Sequence, residues 1–469
     1  MQSVSRHEPG HVVVVGGGNA GLCAAIEARD GGARVTVLER ASRDFRGGNS
    51  RHTRNLRTLH PEADGYVTGP YEFREFYRDL VGVTGDDINR TMAELTIRES
   101  QGLSTWMVER GARWQAPLKG TLSLARTNHF FLGGGKSLLN AYYRTAADRG
   151  VEIHYEADVV GIDAEDDRCR GVRVAVRDSA PVPVDADAIV VAAGGFEANR
   201  KWLREGWGAA ADSLVVRGTR NNDGTMLRLL MEAGARTIGD PRSAHAIAVD
   251  ARAPAYDAGI ITRIDAVPIG IVVNKDARRF ADEGEEIWPK RYATWGRLIA
   301  DQPGHVGFVI FDAKVAGQII PSLYPPLSSG SIFDLGSELG LDPRSLEATV
   351  DEFNASCRPG ARFDLREKDE CGTDGLMPPK SHWARPISTP PFYGYPLRTG
   401  ITFTYMGVAV DEAARVQRAE GSFANVFAAG EIMAGNILAQ GYLAGFGMTI
   451  GSVWGRIAGR EAAACSSLS

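Results

Sequence analysis

Cysteine is scarce and scattered: Cys23, Cys169, Cys357, Cys371 and Cys465 are the five in 469 residues, and no two form a CxxC pair. That spacing argues against a disulfide frame, a zinc site or an iron–sulfur cluster, and for reduced thiols. The nine histidines stand singly, with no pair at metal-ligand spacing, so no metal is expected. No run approaches the ~18 to 20 apolar residues that a membrane helix requires. The stretch from Met1 to Gly10 is polar and lacks the charged, apolar and small-residue order of an export signal, so a cytoplasmic location is expected. Positive charge is not in excess either: 53 Lys and Arg against 58 Asp and Glu leave a net charge of -5. This excludes a general affinity for nucleic acid or anionic lipid, while local arginine clusters remain free to bind small anions.

What is present is an ordinary globular composition, 43% hydrophobic and 24% charged. The chain is too long for one ordinary core, so two domains are expected. Residues 11–15 are an apolar, β-branched run of the kind buried on both faces in a parallel sheet. Residues 19–30 read as a helix ended by Gly31-Gly32, and residues 34–38 as a second strand closed by Glu39, which completes a βαβ unit. Residues 70–111 look mostly helical, residues 136–149 form a helix, and residues 151–162 return as one strand. Another buried strand, 187–192, halts at Gly194-Gly195. From about Pro241 to Pro390, proline, exposed charge and short mixed elements replace this rhythm, which then resumes with a strand at 424–429 and a helix at 445–464. The expected architecture is α/β: a Rossmann-like domain in two pieces, residues 1–240 and 391–469, around an inserted second domain at 241–390.

The first strand runs into Gly16-x-Gly18-Asn19-Ala20-Gly21. In such a turn the first glycine allows the tight bend, the second lets backbone approach a pyrophosphate, and the third lets helix pack on strand. The helix N-terminus then faces the phosphates with its positive end. Glu39, about 20 residues on and followed by Arg40, is placed for a ribose hydroxyl. A lone glycine turn can be merely structural; the strand before it, the helix after it and Glu39 favour a dinucleotide. Two distant segments, Ala192-Ala193-Gly194-Gly195 and Phe427-Ala428-Ala429-Gly430-Glu431, favour FAD over NAD. Strands ending in small residues bring backbone up to an extended ligand, and Glu431 can accept from ribityl hydroxyls. Arg51, Arg54 and Arg57 recur every third residue, which on a helix would share a face. They would bind an anionic substrate group or the pyrophosphate, or else form a solvated face.

With Arg46-Gly47-Gly48-Asn49-Ser50, the Ala-Ala-Gly-Gly-Phe at 192–196, Ile271-Val272-Val273-Asn274 followed by Arg279-Phe280, and the 427–431 segment, the chain resembles the fumarate reductase and succinate dehydrogenase flavoprotein superfamily over nearly its whole length. Three longer strings are similar to those of FAD-dependent tricarballylate dehydrogenases and their relatives. They are Gly47-Gly48-Asn49-Ser50-Arg51-His52-Thr53-Arg54-Asn55, Gly430-Glu431-Ile432-Met433-Ala434-Gly435-Asn436, and residues 440–449 from Gln440 to Thr449. The resemblance implies a Rossmann-like (GR2-type) FAD domain with an α+β capping domain that closes over the flavin. The implied reaction moves a hydride between flavin N5 and the carbon beta to a carboxylate while a protein group handles the alpha proton. For tricarballylate the product would be cis-aconitate.

The implied FAD residues are Gly16, Gly18, Asn19, Ala20, Gly21, Glu39, Arg40, Gly48, Asn49, Ser50, Val159, Ala193, Gly194, Gly195, Gly430, Glu431, Gly445 and Met448. The last helix, from about Gly445, would aim its N-terminus at the flavin ring. Membrane-bound relatives attach FAD through a histidine whose position here falls nearer Asn49 than His52, which implies FAD held noncovalently. Departures from fumarate reductases matter as much. The substrate-binding histidine falls in Thr402-Phe403-Thr404-Tyr405, which has none; the clamping arginine falls at Tyr442; the acid of the cap's threonine–glutamate pair falls at Arg263, beside Thr262. Fumarate is therefore a poor fit, and another acid is expected.

The family's catalytic arginine falls nearest Arg291, the expected proton shuttle, with Lys290 and Arg297 as close competitors and a solvated basic helix face as the bland alternative. Tyr405 and Tyr442 are alternative acid–base groups, or else aromatic packing. Thr262, Arg263, Arg54 and Arg398 would contact the acid substrate. The resemblance also implies an iron–sulfur or quinone-linked electron acceptor. Three rival readings share these residues: an alkene reductase, a dehydrogenase of a neutral ring ketone such as a ketosteroid, and a flavin electron-transfer subunit with no organic substrate.

Overall fold

The computed structural model describes residues 9–85, 88–116, 124–177, 179–320 and 322–468; residues 1–8, part of the polar start discussed above, lie outside these. Strand β1 (His11–Val15) is buried along its whole length because it is paired on both sides. Helix α1 (Asn19–Asp30) crosses over to β2 (Arg34–Glu39), parallel to β1 on one flank, and Ala188–Val191 runs parallel on the other. Glu152–Tyr155 extends the sheet beyond β2, and Ser422–Ala428 beyond Ala188–Val191, with Arg415–Gln417 as an antiparallel edge. The chain leaves β1 in one direction to β2 and later returns on its other side, so the crevice at the carboxyl ends of these strands is where an α/β sheet receives a ligand.

Residues 151–162 are not one strand. Glu156 takes a left-handed conformation (φ 56°) and its N–H bonds to Ala41 O, which turns the chain out of the parallel sheet. Ala157–Glu165 then joins Arg168–Val176 and Val182–Asp185 in a separate antiparallel sheet. The arginines at 51, 54 and 57 do not share a helix face either. A short 3-10 turn, Gly48–His52, gives way to the strand Asn55–Arg57, so no one helix carries all three.

The insert is built on a strand of 13 residues, Phe392–Thr404. Ala244–Asp250 and Gly307–Asp312 flank it antiparallel, Ile271–Asn274 pairs with the latter, and Val215–Val216 adds parallel to its far end. In this pairing the insert's sheet draws on residues before 241 and after 390, and Phe392–Thr404 leads directly to the cleft between the lobes. Helices Ile332–Leu339 and Pro343–Ser356 cover the insert's outer face with a satellite core around Ile271, Ile310, Leu335 and Phe353.

The last helix, Phe446–Ser466, packs along α1. A Cβ on Gly455 would fall 2.4 Å from Ala20 O, and one on Gly459 2.3 Å from Ala24 O, so the two backbones meet where side chains would hold them apart. Among the described residues no helix is long and apolar enough to cross a membrane, and no group of His, Cys, Asp or Glu is arranged to hold a metal ion.

Candidate active site

Backbone shape defines the cofactor end of the cleft. Gly16 sits at φ 105°, where a Cβ would fall 2.4 Å from Ala192 O, and a Cβ on Gly21 would fall 1.8 Å from Gly16 O. Only glycine permits this turn, which leaves the N-terminus of α1 open to an anion. From here a cleft with about 1580 Å³ of empty space, its open mouth included, runs past β2 and Val159, then between Gly194 and Glu431, to the start of the last helix and the capping sheet. Every residue assigned above to the cofactor lines it except Gly21 and Gly195. Those two lie behind the wall: a Cβ on Gly195 would meet Thr404 Oγ1 at 2.1 Å and Glu431 Oε1 at 2.2 Å. An extended dinucleotide fits this shape.

Several of these cleft residues brace the protein itself. Buried Glu39 accepts the N–H groups of Gly17, Ala41 and Gly47, and burial raises its pKa against those bonds. Arg40 is neutralised between Asp158 (3.2 Å) and Asp223 (2.7 Å). The Asn49 amide donates to Glu197 and to Thr402 O and accepts from Thr219 N–H, so it ties three segments together rather than offering itself wholly to a ligand. Ser50 Oγ accepts the Asn19 N–H at 3.1 Å. Glu431 accepts the Thr404 N–H and acts electrostatically on Glu197, whose Oε1 accepts from Asn49 and Asn222. Burial, then the charge of Glu197, raises the Glu431 pKa well above the carboxylate range. His52, at the cleft wall, bonds Asp257 Oδ1 at 3.0 Å.

The other end of the cleft is cationic. Arg217 and Arg263 line it and half-buried Arg54 stands beside them, each acting electrostatically on its neighbours. The carboxylate facing them is Asp265, which holds Arg263 (Nη2 to Oδ2 2.9 Å; Nε 2.8 Å from Oδ1 but off the hydrogen-bonding direction) and accepts Trp288 Nε1 at 2.7 Å. Arg217 Nη1 donates to Thr402 Oγ1 at 2.7 Å, while its Nε, and Nε and Nη2 of Arg54, have no partner. Burial, then the like charge of Arg263, lowers Arg54 to about 9 and Arg217 to about 10; both stay charged at neutral pH. Among the described residues, three guanidiniums against one carboxylate leave two positive charges uncompensated in a shielded site, a costly arrangement unless an anion completes it.

Aromatic rings wall this end. His245 stacks on Tyr442 with centroids 3.9 Å apart and planes within 10°. Burial and the two neighbouring arginines push the His245 pKa well below 6.5, so its ring is neutral. Tyr442 Oη accepts the Gly447 N–H at 2.7 Å, at the start of the last helix. Tyr292 lies under the Arg263 guanidinium, 5.1 Å from its ring centroid.

Of the residues expected to handle substrate, Arg263 and Tyr442 line the cleft and Arg54 backs it; the others stand elsewhere. Arg291 pairs with Glu285, because its short helix Trp288–Arg291 turns it away from the cleft that Tyr292 faces. Lys290 reaches Asp79 at 2.7 Å, and Arg297 pairs with Asp301 over Trp207. Arg398 is exposed on the capping strand, Thr262 bonds Gly259 O, and Tyr405 is buried with its hydroxyl given to Gly441 O. Sequence reasoning missed Arg217, His245, Tyr292 and Glu197. Tyr292 is one residue from the expected shuttle; the others belong to no motif.

Several known proteins are similar to this chain over most of its length. The chain is 25% identical over 470 residues to an NADH:fumarate oxidoreductase of Klebsiella pneumoniae (strain 342), covering 96% of this chain and 47% of that one, so it spans about half that relative's length. It is 26% identical over 526 residues to digoxin reductase of Eggerthella lenta, covering 97% of this chain and 87% of that one. It is 24% identical over 473 residues to a fumarate reductase (cytochrome) of Shewanella frigidimarina, covering 97% and 77%. Among solved structures, the open conformation of a flavocytochrome c3 fumarate reductase superposes with a TM-score of 0.75 at 21% identity, covering 99% of this chain and 80% of that one. A 3-ketosteroid-delta4-(5alpha)-dehydrogenase from Rhodococcus jostii RHA1 superposes at 0.72 and 21%, covering 98% of each. These likenesses show the expected fold, a Rossmann-like FAD domain with a cap. A family model described as FAD binding domain matches residues 11–445, from the first strand to the threshold of the last helix, and on that match the chain belongs to this family and is an FAD-dependent oxidoreductase.

Proposed function

We propose that the protein interconverts a CH–CH bond and a C=C bond next to a carboxylate of a di- or tricarboxylic acid, and that tricarballylate, oxidised to cis-aconitate, is the first substrate to test. The observation that carries this reading is the cluster of buried Arg217 and Arg263 with half-buried Arg54, and Asp265 as its counter-charge. A ligand with two or more carboxylates neutralises the surplus and satisfies the unpartnered guanidinium nitrogens. Gly16–Gly18 and the start of α1 would hold the FAD pyrophosphate, and Glu431 the polyol beyond it. Bound FAD supplies the two-electron acceptor. The chain's part is to fix the acid's carboxylates at the arginines, exclude water with the His245–Tyr442 stack, and move one proton at the alpha carbon.

The test is anaerobic mixing of the purified yellow holoenzyme with a panel of di- and tricarboxylates while the oxidised flavin band is followed. Tricarballylate should bleach it. The acid reading is lost if no carboxylate bleaches oxidised holoenzyme or restores the colour of reduced holoenzyme. The stacked rings also suit a flat neutral ligand, so a 3-ketosteroid belongs in the panel; bleaching by the steroid alone would replace the acid with a ring ketone.

A further inference from the structure

The acid reading needs a group that exchanges a proton with the substrate's alpha carbon, and the expected one, Arg291, is turned away onto Glu285. We propose that the Tyr292 hydroxyl is that group. The inference rests on the acid reading and deepens it.

The geometry eliminates the rivals in turn. Tyr405 donates its hydroxyl to Gly441 O and is sealed from the cleft. His245 Nε2 is buried without a partner, and the neutral imidazole has little basicity. Tyr442 lines the cleft, but its oxygen is held by the Gly447 N–H and its ring is clamped against His245. Tyr292 also lines the cleft, and no described residue is hydrogen-bonded to its hydroxyl. Its ring is fixed edge-on to His245 (5.4 Å, 81°) and beneath Arg263, so this phenol stands at the cationic end of the cleft, where the arginines would hold the acid.

In the reducing direction the Oη–H bond breaks as a Cα–H bond forms. The electron pair of the C=C moves into that new bond, and the hydride reaching the beta carbon brings its two electrons from reduced flavin. Solvent then restores the phenol's proton. Oxidation is the reverse: the phenolate takes the alpha proton, the Cα–H pair becomes the double bond, and a hydride departs from the beta carbon to oxidised flavin.

Four arginines act on Tyr292: Arg54 just before the strand Asn55–Arg57 and Arg57 within it, Arg217 after Val215–Val216, and Arg263, paired with Asp265, after the turn Ile260–Thr262; the titratable rings of His245 and Tyr442 also face it. Burial pushes the phenol up to about 12, and the arginines restrain the rise. The phenol is therefore a ready donor for reduction at neutral pH. Oxidation depends on the phenolate fraction, which grows tenfold per pH unit below that value.

The test uses full-length holoenzyme. Wild type should be bleached by tricarballylate at a rate rising about tenfold per unit between pH 7 and 9. In Tyr292→Phe the rate should fall at least a hundredfold and lose that slope. Flavin content and calorimetric binding of malonate, which has no CH–CH bond to oxidise, should be unchanged. Should the phenylalanine variant not fold, 3-fluorotyrosine placed at 292 should move the alkaline rise to lower pH, which a structural role would not do. A Tyr292→Phe enzyme bleached within threefold of wild type with the same slope, or an unmoved profile with fluorotyrosine, overturns the assignment while leaving the acid reading intact. A wild type that neither binds malonate nor is bleached by any acid removes both.

Discussion

At the scale of single residues, the chemistry is set by which arginines lose their counter-charges. Arg217 and Arg398 look alike in the sequence, yet one is buried against Thr402 at the cleft and the other is exposed on a strand. A charge-assisted hydrogen bond contributes roughly 1.5 to 3 kcal/mol. Arg217→Ala should therefore weaken malonate binding about tenfold to a hundredfold in a calorimetric titration, while Arg398→Ala leaves it unchanged. Equal effects of the two would disprove the placement of the anion site. Glu39 shows the same lesson in milder form. Its spacing from the glycine turn was legible, but its bonds to Gly17 and Gly47, which bind the turn to the loop before Gly48, were not.

At the scale of elements, the parallel strands were legible because runs such as His11–Val15 and Ala188–Val191 are apolar throughout, the pattern of strands buried on both faces. The break at Glu156 was not, because a left-handed residue leaves no mark in hydrophobic period. The last helix was readable as a helix, but its glycines gain meaning only beside α1. Gly459→Val would drive a side chain onto Ala24 O, and overpacking of this kind costs typically 1 to 3 kcal/mol. Thermal unfolding should show a lowered midpoint and loss of bound flavin at a lower temperature. An unshifted midpoint would mean the helices can part without penalty.

For the molecule as a whole, folding buries a lysine inside the cap. Lys380 is sealed from solvent, donates to Pro268 O (2.8 Å) and Gly270 O (2.6 Å), and is lowered by burial from 10.5 to about 8. Between those values the unfolded chain holds more protons than the folded one. The stability of the folded state should therefore rise as pH increases through about 8 to 10.5, and be lost again on return, by on the order of 3 kcal/mol from this group. Urea unfolding at pH 7.5 and 9.5 should show the rise in wild type and a smaller one in Lys380→Met; identical slopes would count against a buried charged amine. The variant should also be less stable throughout, because two buried carbonyls lose their donor.

The amino-acid order by itself determined the βαβ start, the glycine cradle and the small-residue strand ends that mark an FAD protein. These depend on local backbone freedom and on periodic burial, and both are written in neighbouring residues. Tertiary structure alone decided which charges meet. Arg54, Arg217 and Arg263 come from segments far apart in the chain, and the direction a side chain faces depends on turns such as Trp288–Arg291 that have no hydrophobic signature. Uncompensated charge is a property of an enclosed volume, so it came into view only when the two lobes closed around one.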